Sequence, residues 1–312
     1  MAATLRIVFF GTPAFAVPTL EGLLASRHPV VGVVTQPDRP RGRGQKPSPA
    51  PVKALADDRG LPVLQPDRLK DQAFLEAFAA WGADLGVVAA YGRIIPDVVI
   101  NTPARGLINV HASLLPRYRG AAPVHRAVLN GEAETGVTIM RIVKELDAGA
   151  MFASVERPIG PDATSGDVED DLAGAGARLL VTVVDAMAQG AAHETPQDST
   201  RATYAAKITR DESPIDWSRS ARQLHNQVRG LMPWPRASAT LDGHRVILLR
   251  TASESGSGET PGVVVEADGD HLRVATGDGI LRILEIQPEG RRGLTAREFL
   301  AGHRISPGTR FQ

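Results

Sequence analysis

Two polar side chains interrupt an apolar segment where a core strand needs none. In "LINVH", residues 107–111, Asn109 and His111 lie two residues apart, so on a strand they project from one face. An amide that can donate and an imidazole that can hold or move a proton near neutral pH suit acyl transfer. The amide stabilises charge building on a carbonyl oxygen and the imidazole handles protons. Such a pair wants a third group to orient the ring, and Asp147 in "KELDAGAM" offers a carboxylate in a glycine-bearing turn between two strand-like runs. Straight after the strand, "SLLPRYRG" (113–120) places Pro116 and Gly120 in a stiff, irregular loop. A lone histidine at a strand end is more often a satisfied polar group, and spacing alone leaves both readings open.

The elements that must position these residues follow from apolar periodicity. Strand-like runs at 5–10, 30–35, 84–90, 107–111 and 135–142 alternate with helix-like segments at 15–26, 71–81 and 123–130. That alternation predicts an α/β fold with a parallel sheet covered on both faces, whose ligands bind at the carboxyl edge of the strands. A long helix is expected over 165–189. The polar, non-periodic stretch 190–206 reads as a linker. Beyond it, short strand-like pieces such as "RVILLR" and "DGILRILEIQP" are separated by glycine-rich turns and suit a small antiparallel barrel or sandwich. The expected division is therefore 1–189, a linker at 190–206, and 207–312.

Charge narrows the partners. Thirty-five basic residues balance 35 acidic ones, so no global field favours nucleic acid or membranes, and any such case is local. One local case is "TQPDRPRGRGQKPSPAPVK" (35–53). Between Asp38 and Lys46 it sets four cations (Arg39, Arg41, Arg43, Lys46) against one acid, a net of +3. Glycine and proline are expected to keep it irregular, and it opens on the same sheet edge as His111, which suggests a polyanionic substrate. The other lies in 207–250, where eight Lys or Arg against four acids leave +4. In "RGLMPWPRA", Trp234 is expected to pack at the entrance of the second domain rather than stack on a base.

Other chemistries fit poorly. "FFGTPAFA" turns from strand to helix at Gly11 but lacks the remaining glycines of a dinucleotide loop. The eight histidines form no H-E-x-x-H or comparable cluster, so no metal is expected. With no cysteine there is neither a thiolate nucleophile nor a disulfide, which fits a cytoplasmic setting. "MAATLRIVFFGTP" reads as a first strand rather than a leader, and no apolar run reaches the roughly 18 residues of a membrane helix.

Taken in order, "FFGTPAFA", "TQPDRPRGRGQK", "VAAYGRIIP", "INVHASLLPRYRGAAP", "ETGVTIM", "ELDAGAM" and "MPWPRA" resemble the methionyl-tRNA formyltransferase family over essentially the whole chain. "NVHASLLPRYRG" alone resembles the wider folate-dependent formyltransferases. The resemblance implies a Rossmann-like N-terminal domain and an OB-like β-barrel C-terminal domain that binds tRNA. It implies transfer of a formyl group from 10-formyltetrahydrofolate to the α-amine of methionine on initiator methionyl-tRNA, by a monomeric cytoplasmic enzyme that releases tetrahydrofolate. Carried over residue by residue, the catalytic set falls on Asn109, His111 and Asp147, and the folate contact on Ser113, Leu114, Leu115 and Pro116. The tRNA-reading arginine falls on Arg43, with Arg39, Arg41 and Lys46 in the same loop. One departure is the segment 45–51, "QKPSPAP", which lacks the apolar pair that some members carry before Pro-Ser-Pro. The alternative acceptor within the wider family is an amino-sugar nucleotide, which would leave the basic loop little to do.

Overall fold

The computed structural model describes residues 3–41, 46–256 and 259–312, and its chain divides into two units. The first comprises Met1–Pro123, Thr135–Pro158 and Glu169–Ala205; the second comprises Val124–Glu134, Ile159–Val168 and Ala206–Gln312. In chain order the strands up to the boundary are β1 (Ile7–Gly11), β2 (Val30–Val34), β3 (Arg39–Arg41), β4 (Lys46–Ser48), β5 (Val63–Leu64), β6 (Leu85–Ala89), β7 (Leu107–His111), β8 (Arg119–Gly120), β9 (Glu134–Arg141), β10 (Met151–Pro158) and β11 (Tyr204–Ala205). The helices are α1 (Val17–Leu24), α2 (Pro51–Asp58), α3 (Gln72–Ala80), α4 (Asp97–Ile100), α5 (Pro123–Leu129) and α6 (Ser165–Ala188).

A seven-stranded sheet runs in the order β10-β9-β7-β6-β1-β2-β5. From β5 across to β7 every pair is parallel, the Rossmann-like arrangement that helical crossovers produce. β1 is buried along its whole length, as a strand covered on both faces must be. On one face Val8, Phe10, Val88 and Leu107 pack against Phe74 and Phe78 of α3 and against Tyr91. Phe10 meets the Phe78 and Tyr91 rings edge-on at 5.6 and 5.5 Å. On the other face α6 comes in so closely that a Cβ at Gly176 would lie 2.8 Å from Val110. Successive strand residues alternate faces, so the side chains beside Val110, those of Asn109 and His111, project away from α6.

The sheet departs from the expected all-parallel pattern at one strand. β9, the run expected at 135–142, pairs antiparallel with β7, with His111 opposite Thr138 and Ile108 opposite Arg141. Residues buried on both faces read as one continuous apolar run in either direction, so the pattern carried no orientation. The basic loop also differs from its expected irregular form. Its described parts form a two-stranded antiparallel pair, with Arg39 opposite Ser48 and Arg41 opposite Lys46.

Residues 194–205, within the stretch expected as a linker, are hydrogen-bonded along the first unit. Thr195 exchanges backbone bonds with Met151, and β11 pairs in parallel with β8.

The second unit holds β12 (Ala237–Leu241), β13 (His244–Glu254), β14 (Val264–Asp268), β15 (His271–Ala275), β16 (Ile280–Pro288) and β17 (Leu294–Thr295), with helices α7 (Ala221–Gly230) and α8 (Ala296–Gly302). Its sheet runs β12-β13-β16-β15-β14, with β17 on β16 and every pair antiparallel. The β12–β13 turn is Asp242-Gly243, both at positive φ, the backbone that a tight two-residue hairpin requires. Among the described residues no ladder joins β14 to β12. The final residues lie between those edges, bonded to Gly262 and Val264 on one side and to Thr240 on the other. Trp234, expected as a packing anchor, is 47% exposed.

Candidate functional site

His111 ends β7 almost wholly buried, and its ring is fixed by main chain. Nε2 lies 3.0 Å from the Tyr118 carbonyl, which can only accept, so Nε2 carries a hydrogen. That leaves Nδ1 as the nitrogen that can gain or lose a proton. It lies 3.8 Å from Asp147 Oδ2, an ion-pair distance too long for a hydrogen bond. The carboxylate is therefore a charge beside the ring, while the Tyr118 carbonyl sets the ring's orientation.

The antiparallel course of β9 carries the chain away from His111, and the loop that follows brings Asp147 back. β9 ends at Arg141, opposite Ile108, three residues short of His111 along β7. Three residues of strand span roughly 10 Å, which the six residues 142–147 can recover by folding back. Gly149 makes that fold possible, because a Cβ there would lie 1.9 Å from the Arg141 carbonyl oxygen. At the tip Asp147 sits at φ +46°, and its Oδ2 accepts a 2.8 Å hydrogen bond from the Gly120 N–H. Gly120 itself is at φ +120°, and a Cβ would lie 2.7 Å from the Ala205 carbonyl oxygen. The loop after β7 and the loop after β9 are thus fastened to each other at the carboxylate.

Asn109 is half-buried on the same face of β7, and among the described residues its side chain has no hydrogen-bond partner. An unspent amide beside an imidazole and a carboxylate leaves donors available to a bound molecule.

The segment 113–116 is rigid. Ser113 is fully buried and donates to the Arg117 carbonyl at 2.7 Å. Thr138 Oγ1 donates to the Ser113 carbonyl and accepts from the Leu115 N–H, joining the segment to β9. Leu115 is buried, whereas Leu114 and Pro116 are half-exposed and form the part of the segment open to a ligand. Thr138 and the Tyr118 carbonyl were not singled out from the sequence. The first reads there as one more strand threonine, and a main-chain carbonyl leaves no mark in residue type.

Of the basic loop, Arg43 lies outside the described residues, and for Arg39, Arg41 and Lys46 the structure gives the backbone pairing alone. The acid counted against them is committed elsewhere. Asp38 takes a 2.5 Å ion pair from Lys53 and a 2.9 Å bond from Gln65, and the Lys53 hydrogen bond, then that of Gln65, holds its carboxyl below the usual range. In the second unit the +4 count over 207–250 includes groups turned inward. Arg229 is buried and donates to Asn226 and to the Gly160 and Ala163 carbonyls, and the half-buried Arg236 donates to the Pro233 carbonyl and to Gln287. Lys207, Arg210, Arg219, Arg222, Arg245 and Arg250 remain exposed, Arg250 paired with Glu285. Among the described residues no group of three His, Asp or Glu side chains is arranged to hold a metal, and no helix is long and apolar enough to cross a membrane.

Comparison with known proteins bears on this geometry. A family model described as "Formyl transferase" matches residues 5–184, and one described as "Formyl transferase, C-terminal domain" matches 207–304. A methionyl-tRNA formyltransferase of Heliobacterium modesticaldum is 46% identical over 98% of this chain and 100% of its own. That of Moorella thermoacetica is 46% identical over 97% and 98%. Among solved structures, an N-formyltransferase from Helicobacter canadensis in complex with folinic acid and dTDP-3-aminofucose superposes with a TM-score of 0.67 at 17% identity, over 91% of this chain and 99% of that one. HypX from Aquifex aeolicus in complex with tetrahydrofolic acid superposes with a TM-score of 0.63 at 17% identity, over 98% of this chain and 50% of that one. At such identities these two structures speak to the fold alone.

Proposed function

The chain belongs to the methionyl-tRNA formyltransferase family, and from that premise we propose that it moves a formyl group from 10-formyltetrahydrofolate to the α-amine of methionine on initiator methionyl-tRNA. The observation that carries the reading is the half-buried Asn109 amide, without a partner among the described residues, beside a histidine whose Nδ1 faces a carboxylate.

The acceptor amine must be unprotonated to attack, and a free α-amine has a pKa of about 8, so much of the catalysis is positioning. As the amine adds to the formyl carbon, negative charge grows on the formyl oxygen. Asn109 is placed to donate to that oxygen, and one such donor contributes roughly 3 kcal/mol. His111 exchanges a proton at Nδ1: it takes one from the adding amine and returns it to the folate nitrogen as the bond between that nitrogen and the formyl carbon breaks and tetrahydrofolate leaves. The half-exposed Leu114 and Pro116, held by Ser113 and Leu115, offer a firm apolar edge for the folate donor. Arg39, Arg41, Arg43 and Lys46 supply cations for the tRNA, with Arg43 the residue that reads it. The proposed division of labour assigns formyl transfer to 1–189 and tRNA binding to 207–312, with 190–206 connecting them. The family-model spans support that division. The enzyme is proposed to act as a cytoplasmic monomer.

The test is a formylation assay with the folate donor and methionylated initiator tRNA, methionylated elongator tRNA, or a dTDP-amino sugar as acceptor. Formylmethionyl-tRNA formed chiefly on the initiator species is the expected product. Transfer to the amino sugar with none to tRNA would replace this reading with the sugar-nucleotide one.

A further inference from the structure

We propose that Gln197 is a positioning residue of the transfer site, its side-chain amide holding the backbone that presents Asp147. The inference deepens the function proposed above and rests on Asp147 being the charged member of the site.

Gln197 spends its whole hydrogen-bonding capacity at this one place. Its Nε2 donates to the Asp147 carbonyl and to the Gly149 carbonyl, each at 2.8 Å. Its Oε1 accepts from Arg119 Nε at 3.0 Å and from Arg119 Nη2 at 2.7 Å. Two hydrogens and two lone pairs are all that a carboxamide has. The alternative orientation is ruled out by chemistry, because it would set an oxygen against two carbonyls and an NH2 group against a guanidinium. Arg119 is 4% exposed and directly precedes Gly120, whose N–H grips the Asp147 carboxylate. The contacts therefore close a ring: carboxylate to Gly120, Gly120 through the chain to Arg119, Arg119 to Gln197, and Gln197 back to the Asp147 carbonyl.

The ring has a job to do. Asp147 is held at φ +46°, a left-handed conformation that aspartate tolerates better than most residues but does not prefer, so neighbouring contacts decide whether it is kept. Gly149 pins the base of the loop against Arg141, and Gln197 pins its tip. Without the two carbonyl contacts the tip is free to relax, and the carboxylate moves relative to His111 Nδ1, now 3.8 Å away.

The residue type is informative as well. Among the described residues the buried Arg119 guanidinium meets no carboxylate, and a glutamate at 197 would be the ordinary answer to that charge. Glutamate would also turn an oxygen toward the Asp147 and Gly149 carbonyls and add a second negative charge beside Asp147. Glutamine satisfies Arg119 while still donating to the loop.

Gln197→Glu therefore separates the two duties. It keeps an acceptor for Arg119 and removes both donors to the loop. The experiment measures kcat, both KM values and Tm for Gln197→Glu, Asp147→Asn and the double variant, using initiator methionyl-tRNA and the folate donor. Expected for Gln197→Glu is a kcat at least about 10-fold lower, with KM values near wild type and Tm within about 2 °C. In the Asp147→Asn background the same change should cost less than about 2-fold, because no charge remains to be positioned. Gln197→Met, which removes donors and acceptor without adding charge, carries the same comparison if the glutamate variant does not fold. A normal kcat in Gln197→Glu with a collapsed kcat in Asp147→Asn overturns the inference alone. So does an equal loss from Gln197→Glu in both backgrounds. A normal kcat in Asp147→Asn overturns the reading of the site, and the inference falls with it.

Discussion

Asp147→Asn removes one charge from the site with little change of shape. Asparagine is among the residues that best tolerate positive φ, so the backbone at +46° is not strained by the change. Its amide oxygen can still accept from Gly120, and replacing a charged acceptor by a neutral one costs roughly 1 kcal/mol. The larger effect is electrostatic. Asp147 Oδ2 and His111 Nδ1 are 3.8 Å apart with side chains 17% and 6% exposed, so little water screens the pair. At an effective dielectric of about 20, a carboxylate and a protonated imidazole at that distance attract by about 4 kcal/mol, which is a ceiling on the loss. Since about 1.4 kcal/mol is tenfold in rate, kcat should fall by about 10²- to 10³-fold. The measurements are single-turnover formylation of initiator methionyl-tRNA with saturating folate donor, and thermal unfolding of both proteins. A variant that folds normally and turns over within about 3-fold of wild type would refute the reasoning, since the pair would then be doing no electrostatic work.

Arg43→Lys should lower kcat/KM on initiator tRNA while Arg39→Lys and Arg41→Lys mainly change its salt dependence, because a guanidinium can pair and stack where an ammonium cannot; equal, salt-reversible losses at all three would leave the loop as charge alone. Gly120→Ala would push a Cβ to 2.7 Å from the Ala205 carbonyl oxygen at φ +120°, so unfolding experiments should show a loss of about 2 kcal/mol, with kcat reduced as the Asp147 contact shifts. Arg229→Met should cost about 2 to 4 kcal/mol in urea unfolding, by orphaning the Asn226 oxygen and two carbonyls, and leave the salt slope of tRNA binding unchanged; a shallower slope would place Arg229 on the RNA. The Arg292 hydrogen bond, then the Thr295 N–H, holds the Glu298 carboxyl at about 2 against an ordinary 4.5, so its stabilisation is complete above pH 4.5 and lost as pH falls toward 2. Glu298→Gln should flatten that stretch of the acid-unfolding curve, and an unchanged curve would refute the contribution.

Much of this architecture is legible in residue types, and the exceptions have physical causes. The apolar runs locate β1, β2, β6, β7 and β9, because burial on both faces demands continuous hydrophobicity. Direction is another matter, since β9 is equally apolar read either way, and its antiparallel course carries the chain away from His111, so that the following loop must fold back to bring Asp147 there. The basic loop hid its pairing behind two prolines. Pro40 stands opposite Pro47, and a pair lacking both N–H groups can only be of the non-hydrogen-bonded kind, the one place in a ladder where proline costs no bond. Charge counting was incomplete for a different reason. It treats every arginine as solvated, whereas Arg229 is buried among carbonyls and Arg236 is bonded to Pro233 and Gln287.

The candidate site divides along the same line. Its proposed reactive ends are side chains whose types and spacing are visible in the sequence: an amide and an imidazole two residues apart on one strand, and a carboxylate in a glycine-bearing turn. What holds those ends is largely main chain. The His111 ring is oriented by the Tyr118 carbonyl, the Asp147 carboxylate by the Gly120 N–H, and the Asp147 loop through its own carbonyls. Tyr118 at φ +62° and Asp147 at φ +46° are left-handed without being glycine, and Gly120 alone advertises its backbone by its residue type. Left-handed turns at these positions aim main-chain groups into the site, and they persist only where neighbouring contacts hold them. A substitution that removes a reactive end should therefore leave the fold intact, whereas one that removes a holder should move the reactive ends without touching them. That contrast makes Gln197 and Gly120 as informative about the chemistry as Asn109, His111 and Asp147.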